Sequence, residues 1–263
     1  MKLAHYASVF WVQVKNNFVR EAVYRTNFIT LVLVDVVWMA VQLALFKVIY
    51  SHTTTINGWT EPKAFFFLGV FFTSDAIFTT FFQRNFWNFS DLVNRGELDI
   101  LLTKPIHPLF LALTRTINLT GIFNIGLGLS IAFRYAGDAG FPGGWAWAWF
   151  IPWLAVGVLA SVLLRFAFSV WIFWTERNWA ITRLYFAFFS IADKPDVMFP
   201  PMLRFFLKTI LPFSLIGAVP ARALLEGLSI QETALIAFVL LAFFGINREL
   251  WRRGLKRYQS ASS

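Results

Sequence analysis

The sequence predicts an all-α integral membrane protein with six transmembrane helices, and three observations carry that fold class. Hydrophobic residues make up 58% of the 263 and charged residues only 14%, against about 45–50% and about 25% in soluble domains. Apolar stretches long enough to cross a hydrocarbon layer of roughly 30 Å as helices recur along the whole chain. The cations gather on one side of those stretches. Helices rather than strands are expected because lipid leaves no backbone group a water partner, and the short alternating segments of a barrel are absent.

The stretches lie at 27–50, 64–82, 109–133, 145–174, 205–225 and 234–246. The sixth is short, and the fifth carries Pro212 and Pro220. The charges orient the spans. Of 23 lysines and arginines, Lys63, Arg134 and Arg222 fall on one face and Lys47 and Arg165 within spans, which leaves 18 on the other face. By the positive-inside rule that face is cytoplasmic, together with both termini. The net charge of +9 is then an orientation signal, and no nucleic-acid partner is needed to explain it. Trp145, Trp147, Trp149 and Trp153 would mark the outer interface, where amphipathic rings settle.

Residues 1–25 are too polar for a cleavable signal peptide, with Lys15, Asn16, Asn17, Arg20 and Glu21 interrupting any apolar run. Leu3, Tyr6, Phe10, Val14 and Phe18 recur at steps of three or four and form one helical stripe, with Val9 and Val12 off it. Basic residues beside such a stripe predict a helix lying in the cytoplasmic headgroup layer.

Catalytic chemistry finds little support. His5, His52 and His107 are far apart and make no H-x-x-H spacing. Cysteine is absent, which removes thiolate metal sites and cysteine nucleophiles. Neither a phosphate-binding G-x-x-x-x-G-K-[ST] loop nor a G-x-S-x-G elbow occurs. The G-x-G of Gly126–Gly128 falls inside a span and reads as a helix-packing site. No metal and no cofactor is expected on this chain.

The stretch at 84–108 is more informative. Ser90 is placed to cap a helix, Asp91 to meet its positive dipole end, and Gly96 to end it in a left-handed turn. Pro105 and Pro108 stiffen the approach to the next span. Leu92, Val93, Leu98, Ile100, Leu101 and Leu102 are too many apolar residues for a freely solvated connector. They call for lipid headgroups, the bundle or a second protein.

The run Arg95-Gly96-Glu97-Leu98-Asp99-Ile100-Leu101-Leu102-Thr103-Lys104-Pro105, followed by Pro108-Leu109-Phe110, resembles the G-x-L-D-x-x-L-x-K-P segment of bacterial ABC-2 type exporter permeases. Leu211-Pro212 and Val219-Pro220 resemble that family's proline-bearing stretch, while Asp193-Lys194-Pro195 departs from its Tyr-Pro element. The resemblance runs the length of the chain in span order. It implies a type V exporter-like permease in the bacterial cytoplasmic membrane that pairs with an identical or similar permease chain. Two separate ATPase subunits would hold the ATP and Mg. It implies too that 90–99 forms a coupling helix, with Ser90, Leu92, Arg95, Gly96, Glu97, Leu98, Asp99, Lys104 and Pro105 in or beside the ATPase contact. The N-terminal stripe would be an elbow helix, and the region of Pro212 and Pro220 an outer re-entrant element.

Three charges lie within spans at similar depth: Asp35, Asp75 and Arg165. A charge in the bilayer costs at least about 2.5–3.5 kcal/mol, so an ion pair of Arg165 with either or both acids is expected. A proton or cation pathway and a contact to polar substrate groups are the other readings. Phe65, Phe66, Phe67, Phe71, Phe72, Phe78, Phe81 and Phe82 ring the second span on all faces. They meet lipid or neighbouring helices, or a subset lines a path for an amphipathic substrate. An ion-coupled secondary transporter and a non-transporting membrane scaffold remain the competing functions, although the two halves share none of the matched repeats usual in the former.

Overall fold

The computed structural model describes residues 2–22, 25–175 and 178–258. Helix α1 (Lys2–Ala22) precedes α2 (Arg25–Ser51), a hairpin of β1 (Thr55–Ile56) and β2 (Trp59–Thr60), and α3 (Glu61–Phe78). A π-helical turn at Thr79–Gln83 runs into α4 (Arg84–Asn94), which is followed by α5 (Leu98–Leu102) and α6 (Pro108–Thr114). Then come α7 (Thr120–Ala136), α8 (Trp147–Ser169), α9 (Trp179–Ala192), α10 (Pro201–Thr209), α11 (Ala218–Glu226) and α12 (Ile230–Arg257).

Among the described residues, four helical stretches are long and apolar enough to cross a membrane: Ile29–Ser51, Glu61–Asn94, Gly144–Phe173 and Ile230–Arg257. The expected span at 109–133 is two helices, because the backbone of 115–119 leaves the helical path between α6 and α7. Asn118 starts the second of them, its Oδ1 accepting the Thr120 hydroxyl at 2.7 Å and the Thr120 N–H at 3.3 Å. The expected span at 205–225 is not one helix either. Pro212, which has no N–H to donate, separates α10 from a 3-10 turn at Phe213–Leu215, and Gly217 separates that turn from α11. In its place α9, which composition left unmarked, is a 14-residue apolar helix.

The second span is the centre of the bundle. Phe65, Phe66, Phe67, Phe71, Phe72 and Phe78 are all buried, so these rings meet neighbouring helices instead of lipid. Small residues let the neighbours in. A Cβ on Gly128 would sit 2.7 Å from the backbone nitrogen of Thr73, and one on Gly69 would collide with Ala132. Gly128 is therefore a packing site as expected, whereas nothing lies near Gly126. By contrast α2 and α12 are largely exposed, with Val34, Val37 and Val41 on one and Phe238, Leu241 and Phe244 on the other. Apolar exposure along these two long helices leaves their outer faces open to lipid or to a second chain.

At the end where α3 begins, Asn57 and Gly58 take positive φ of 48° and 82°, the backbone of a tight two-residue hairpin turn. The Asn57 amide donates to the Val197 carbonyl at 2.6 Å and docks the hairpin on the segment after α9. Chain segment 201–226 dips inward from this end and returns to it. Lys63 Nζ meets Glu226 Oε1 at 2.8 Å, so the end of α11 lies beside the start of α3. Midway, Gly217 packs on Phe71 and the Ile216 carbonyl on Gly157. Phe71 is ten residues into α3, roughly 15 Å along its axis.

Candidate coupling surface and intramembrane charges

The loop at 84–108 is largely helical, and its apolar residues divide into two sets. Leu92 and Val93 on α4 and Leu98 and Leu101 on α5 are buried. They share a core with Leu111 on α6, Phe166 and Phe173 from the end of the α8 stretch, and Trp251 on α12. Burying each leucine stabilises the assembly by about 1.5–3 kcal/mol, enough to hold a five-residue helix that would not persist alone. Ile100 and Leu102, at 61% and 40% exposure, point the other way. The bundle thus accounts for most of the loop's apolar excess and leaves these two at the tip.

Gly96 ends α4 with φ 73°, its N–H donating to the Val93 carbonyl, as the left-handed turn requires. Ser90 is no N-cap: the second span runs unbroken to Asn94, which places Ser90 and Asp91 in its final turns. Arg95, Lys104 and Pro105 are exposed, and Gly96, Glu97 and Asp99 are half-buried. Glu97 Oε2 lies 3.5 Å from Arg115 Nη1 on the far side of α6, an exposed pair worth at most about 1 kcal/mol. Next to it a cavity of about 290 Å³ is lined by Asn85, Asn88, Asp91, Arg95, Glu97 and Arg115.

Helix α1 lies along this end. Its Tyr6 hydroxyl accepts the His107 N–H at 3.1 Å, the Tyr6 ring meets Phe110, and the Asn17 amide donates to the Arg115 carbonyl at 3.1 Å. Tyr6, Val9, Phe10, Val14 and Asn17 therefore face the bundle, while Phe18 is exposed beside Trp11, Val12 and Val19. The expected stripe was one of two apolar faces, and Val9 belongs to it where Phe18 does not. Leu3 lies among the residues whose side chains are not described.

The intramembrane charges do not pair as expected. Among the described residues Arg165 makes no ion pair with Asp35 or Asp75. Its guanidinium, 1% exposed, sits 4.7 Å from the centre of the Tyr185 ring and 5.1 Å from that of Phe186. Arg165 Nε and Nη1 have no hydrogen-bond acceptor. Cation–π attraction in a desolvated site reaches about 2 kcal/mol, and α9 supplies both rings. Asp35 Oδ2 instead accepts from the Asn124 amide at 2.6 Å.

At the opposite end the re-entrant segment holds Pro212 and Pro220, both buried. Pro220 stands in the first turn of α11, where a missing N–H costs nothing. Asp196, 1% exposed, lies 3.6 Å from Arg222 Nη1; Arg222 Nη2 is 3.5 Å from Glu232, which also pairs with Lys208 at 3.3 Å. Burial pushes the Asp196 carboxyl up from its ordinary value, against the pull of Arg222. No motif announces this cluster, because its members come from four separate segments.

The model of a family described as ABC-2 family transporter protein matches residues 36–262. The chain belongs to that family. Comparison with curated proteins and comparison with solved structures each give no match. As an ABC-2 permease the chain is a membrane transport subunit, and membership implies an ATPase partner within an ABC transporter. The permease brings its motif residues together at the α4–α5–α6 end and its prolines at the opposite end. Sequence reasoning passed over Asn85, on α4 at the first of these ends, and Tyr185, against Arg165: a lone Asn and a lone Tyr carry no spacing signal.

Proposed function

We propose that this permease is the membrane subunit of an ATP-driven exporter that moves an amphipathic or hydrophobic substrate outward across the bacterial cytoplasmic membrane. Six crossings complete the path in this reading. Four are the long apolar helices; α6 with α7 and α9 with its flanking turns make the other two, and 201–226 is the outer re-entrant element. Both termini are then cytoplasmic and α1 is the interfacial elbow. The working complex is two permease chains, identical or similar, with two ATPase subunits that hold the ATP and Mg.

The observation that carries this reading is the tip of α5. Leu98 and Leu101 are anchored in the core while Ile100 and Leu102 stand in solvent beside Glu97, Asp99 and Lys104. A rigid apolar tip with a charged rim suits insertion into a groove on a partner. ATP binding that draws two such tips together can bias the bundle between inward- and outward-open states, since the differential free energy comes from the nucleotide. In proteoliposomes with the ATPase that co-purifies with the permease, Ile100→Asp and Glu97→Lys should lose permease-stimulated hydrolysis and transport while membrane insertion is kept. Unchanged stimulation in both would overturn the assignment of the tip.

A further inference from the structure

A second cavity, of about 570 Å³, opens at the end of the bundle opposite the α5 tip. It lies between the hairpin, the turn after α9 and the re-entrant helices, and its lining includes Trp59, Phe199, Arg204 and Arg222. The charges around it do not cancel. Lys63 is paired with Glu226. Arg222 and Lys208 share Asp196 and Glu232. Arg204 spends its Nε–H on the Asp196 main-chain carbonyl at 3.2 Å, and no acid among the described residues lies within ion-pair distance of it. Three cations thus face two carboxylates, leaving one positive charge. Donors are also left over: Arg222 Nε and Nη2 are buried without hydrogen-bond acceptors. A cation is a poor fit to the same place, because both Asp196 oxygens are buried and one of them already faces Arg222.

The surface beside the cavity is greasy. On α10, Met202 and Phe205 are 87% and 58% exposed, and Ile210 follows at 58%. Arg204 and Lys208 lie one turn apart on the adjoining face of the same helix. One unmatched charge, unused guanidinium donors and an apolar strip leading away are the complement of a phosphodiester headgroup with its acyl chain.

We propose that this cavity binds the monoanionic phosphodiester headgroup of an outer-leaflet phospholipid between Arg204 and Arg222, with an acyl chain lying along Met202, Phe205 and Ile210. Only the leaflet depends on the export reading. The site itself does not, so it can fail or stand separately from the coupling assignment.

The test is the thermal unfolding midpoint of the full-length permease in neutral detergent, titrated in parallel with short-chain phosphatidylglycerol, with phosphatidylcholine of the same chain length and with inorganic phosphate. Phosphatidylglycerol is expected to raise the midpoint saturably. Arg204→Gln, which keeps a donor for the Asp196 carbonyl, is expected to raise the half-saturating concentration about tenfold or more, as loss of a charge-assisted bond requires. Lys15→Gln, an exposed cation on α1, is expected to leave it unchanged. Equal shifts with the two lipids, or an unchanged half-saturating concentration in Arg204→Gln, would overturn the site. A shift reproduced by inorganic phosphate at the same concentration would overturn the lipid and assign a soluble oxyanion. Arg204→Lys, which keeps the charge, should recover part of the affinity and guards against misfolding of the Gln variant.

Discussion

Asn85 closes a two-way amide clamp on Thr116: its Nδ2 donates to the Thr116 carbonyl at 2.7 Å, and its Oδ1 accepts the Thr116 N–H at 2.8 Å. The side chain imitates a strand neighbour for a residue that has left the helix. Next to it the Thr80 carbonyl, in the π-helical turn, accepts the Asn118 N–H at 2.8 Å. Such turns free a carbonyl from the helical ladder, and here it satisfies the broken segment between α6 and α7.

That clamp is open to a direct test. Asn85 is 3% exposed, so Asn85→Ala leaves two buried backbone groups unpaired at about 1–3 kcal/mol each. A loss of about 2–4 kcal/mol in unfolding free energy is expected from denaturant titration. Asn85→Asp should do no better, since a carboxylate oxygen would then face the Thr116 carbonyl.

Two glycines should respond in opposite directions. Gly69→Ala puts a methyl group into the Ala132 backbone, which cannot yield as a side-chain tip can. Overpacking of this kind costs about 1–3 kcal/mol. Gly126→Ala meets nothing within 4 Å and should gain up to about 1 kcal/mol from helix propensity. Thermal unfolding of the two variants side by side reads the sign.

Arg165 offers a double-mutant test. Tyr185→Leu should cost about 2 kcal/mol in the native background through loss of the cation–π contact. Arg165→Met removes the charge and its unpaired donors, so its midpoint should equal or exceed that of the native chain. In the Arg165→Met background the Tyr185→Leu cost should shrink, and that difference is the coupling. Additive costs would show that ring and guanidinium do not interact.

Asp196 predicts a pH dependence. Burial raises its folded-state pKa above the ordinary carboxylate value, although Arg222, Arg204 and Lys208 pull it down and Glu232 assists the rise. The folded chain therefore binds the proton more readily than the unfolded chain. Its contribution to stability is full below about pH 4 and is lost as pH rises through the folded value. Relative to Asp196→Asn, the native chain should gain unfolding midpoint as pH falls from 7 toward 4. A constant gap would count against the buried carboxylate as its source.

Much of the architecture was legible because hydropathy acts locally. The 25–51 and 144–173 helices follow from runs of side chains that only a helix can carry through lipid. The left-handed turn at Gly96 needed nothing but the residue. The misreadings share one cause. Ser90 looked like a helix start because the polar residues around it resemble a span's end, and only Phe86, Phe89 and Leu92 packing on α8 and α12 residues carry the helix onward. The stretch at 205–225 looked like a span because its composition is apolar, yet Pro212 and Gly217 fold it back beneath the start of α3.

The candidate sites divide in the same way. The motif at 95–105 was visible as residues in order, but tertiary packing decided that Leu98 and Leu101 point inward and Ile100 and Leu102 outward. Asp35, Asp75 and Arg165 were visible as charges in spans, but partners cannot be read from depth alone: helix rotation turned Arg165 toward Tyr185 and Asp35 toward Asn124. By itself the sequence determined membrane class and the long spans, because each is a sum over neighbouring residues; the 18-to-3 charge count did not hold, since the fold sets Arg204 and Lys208 beside Arg222 at the opposite end. The three-dimensional packing decided the break at 115–119, the re-entrant fold and the neighbours of Arg165, Asp35 and Asp196, because those depend on residues far apart in the chain meeting at a few ångströms.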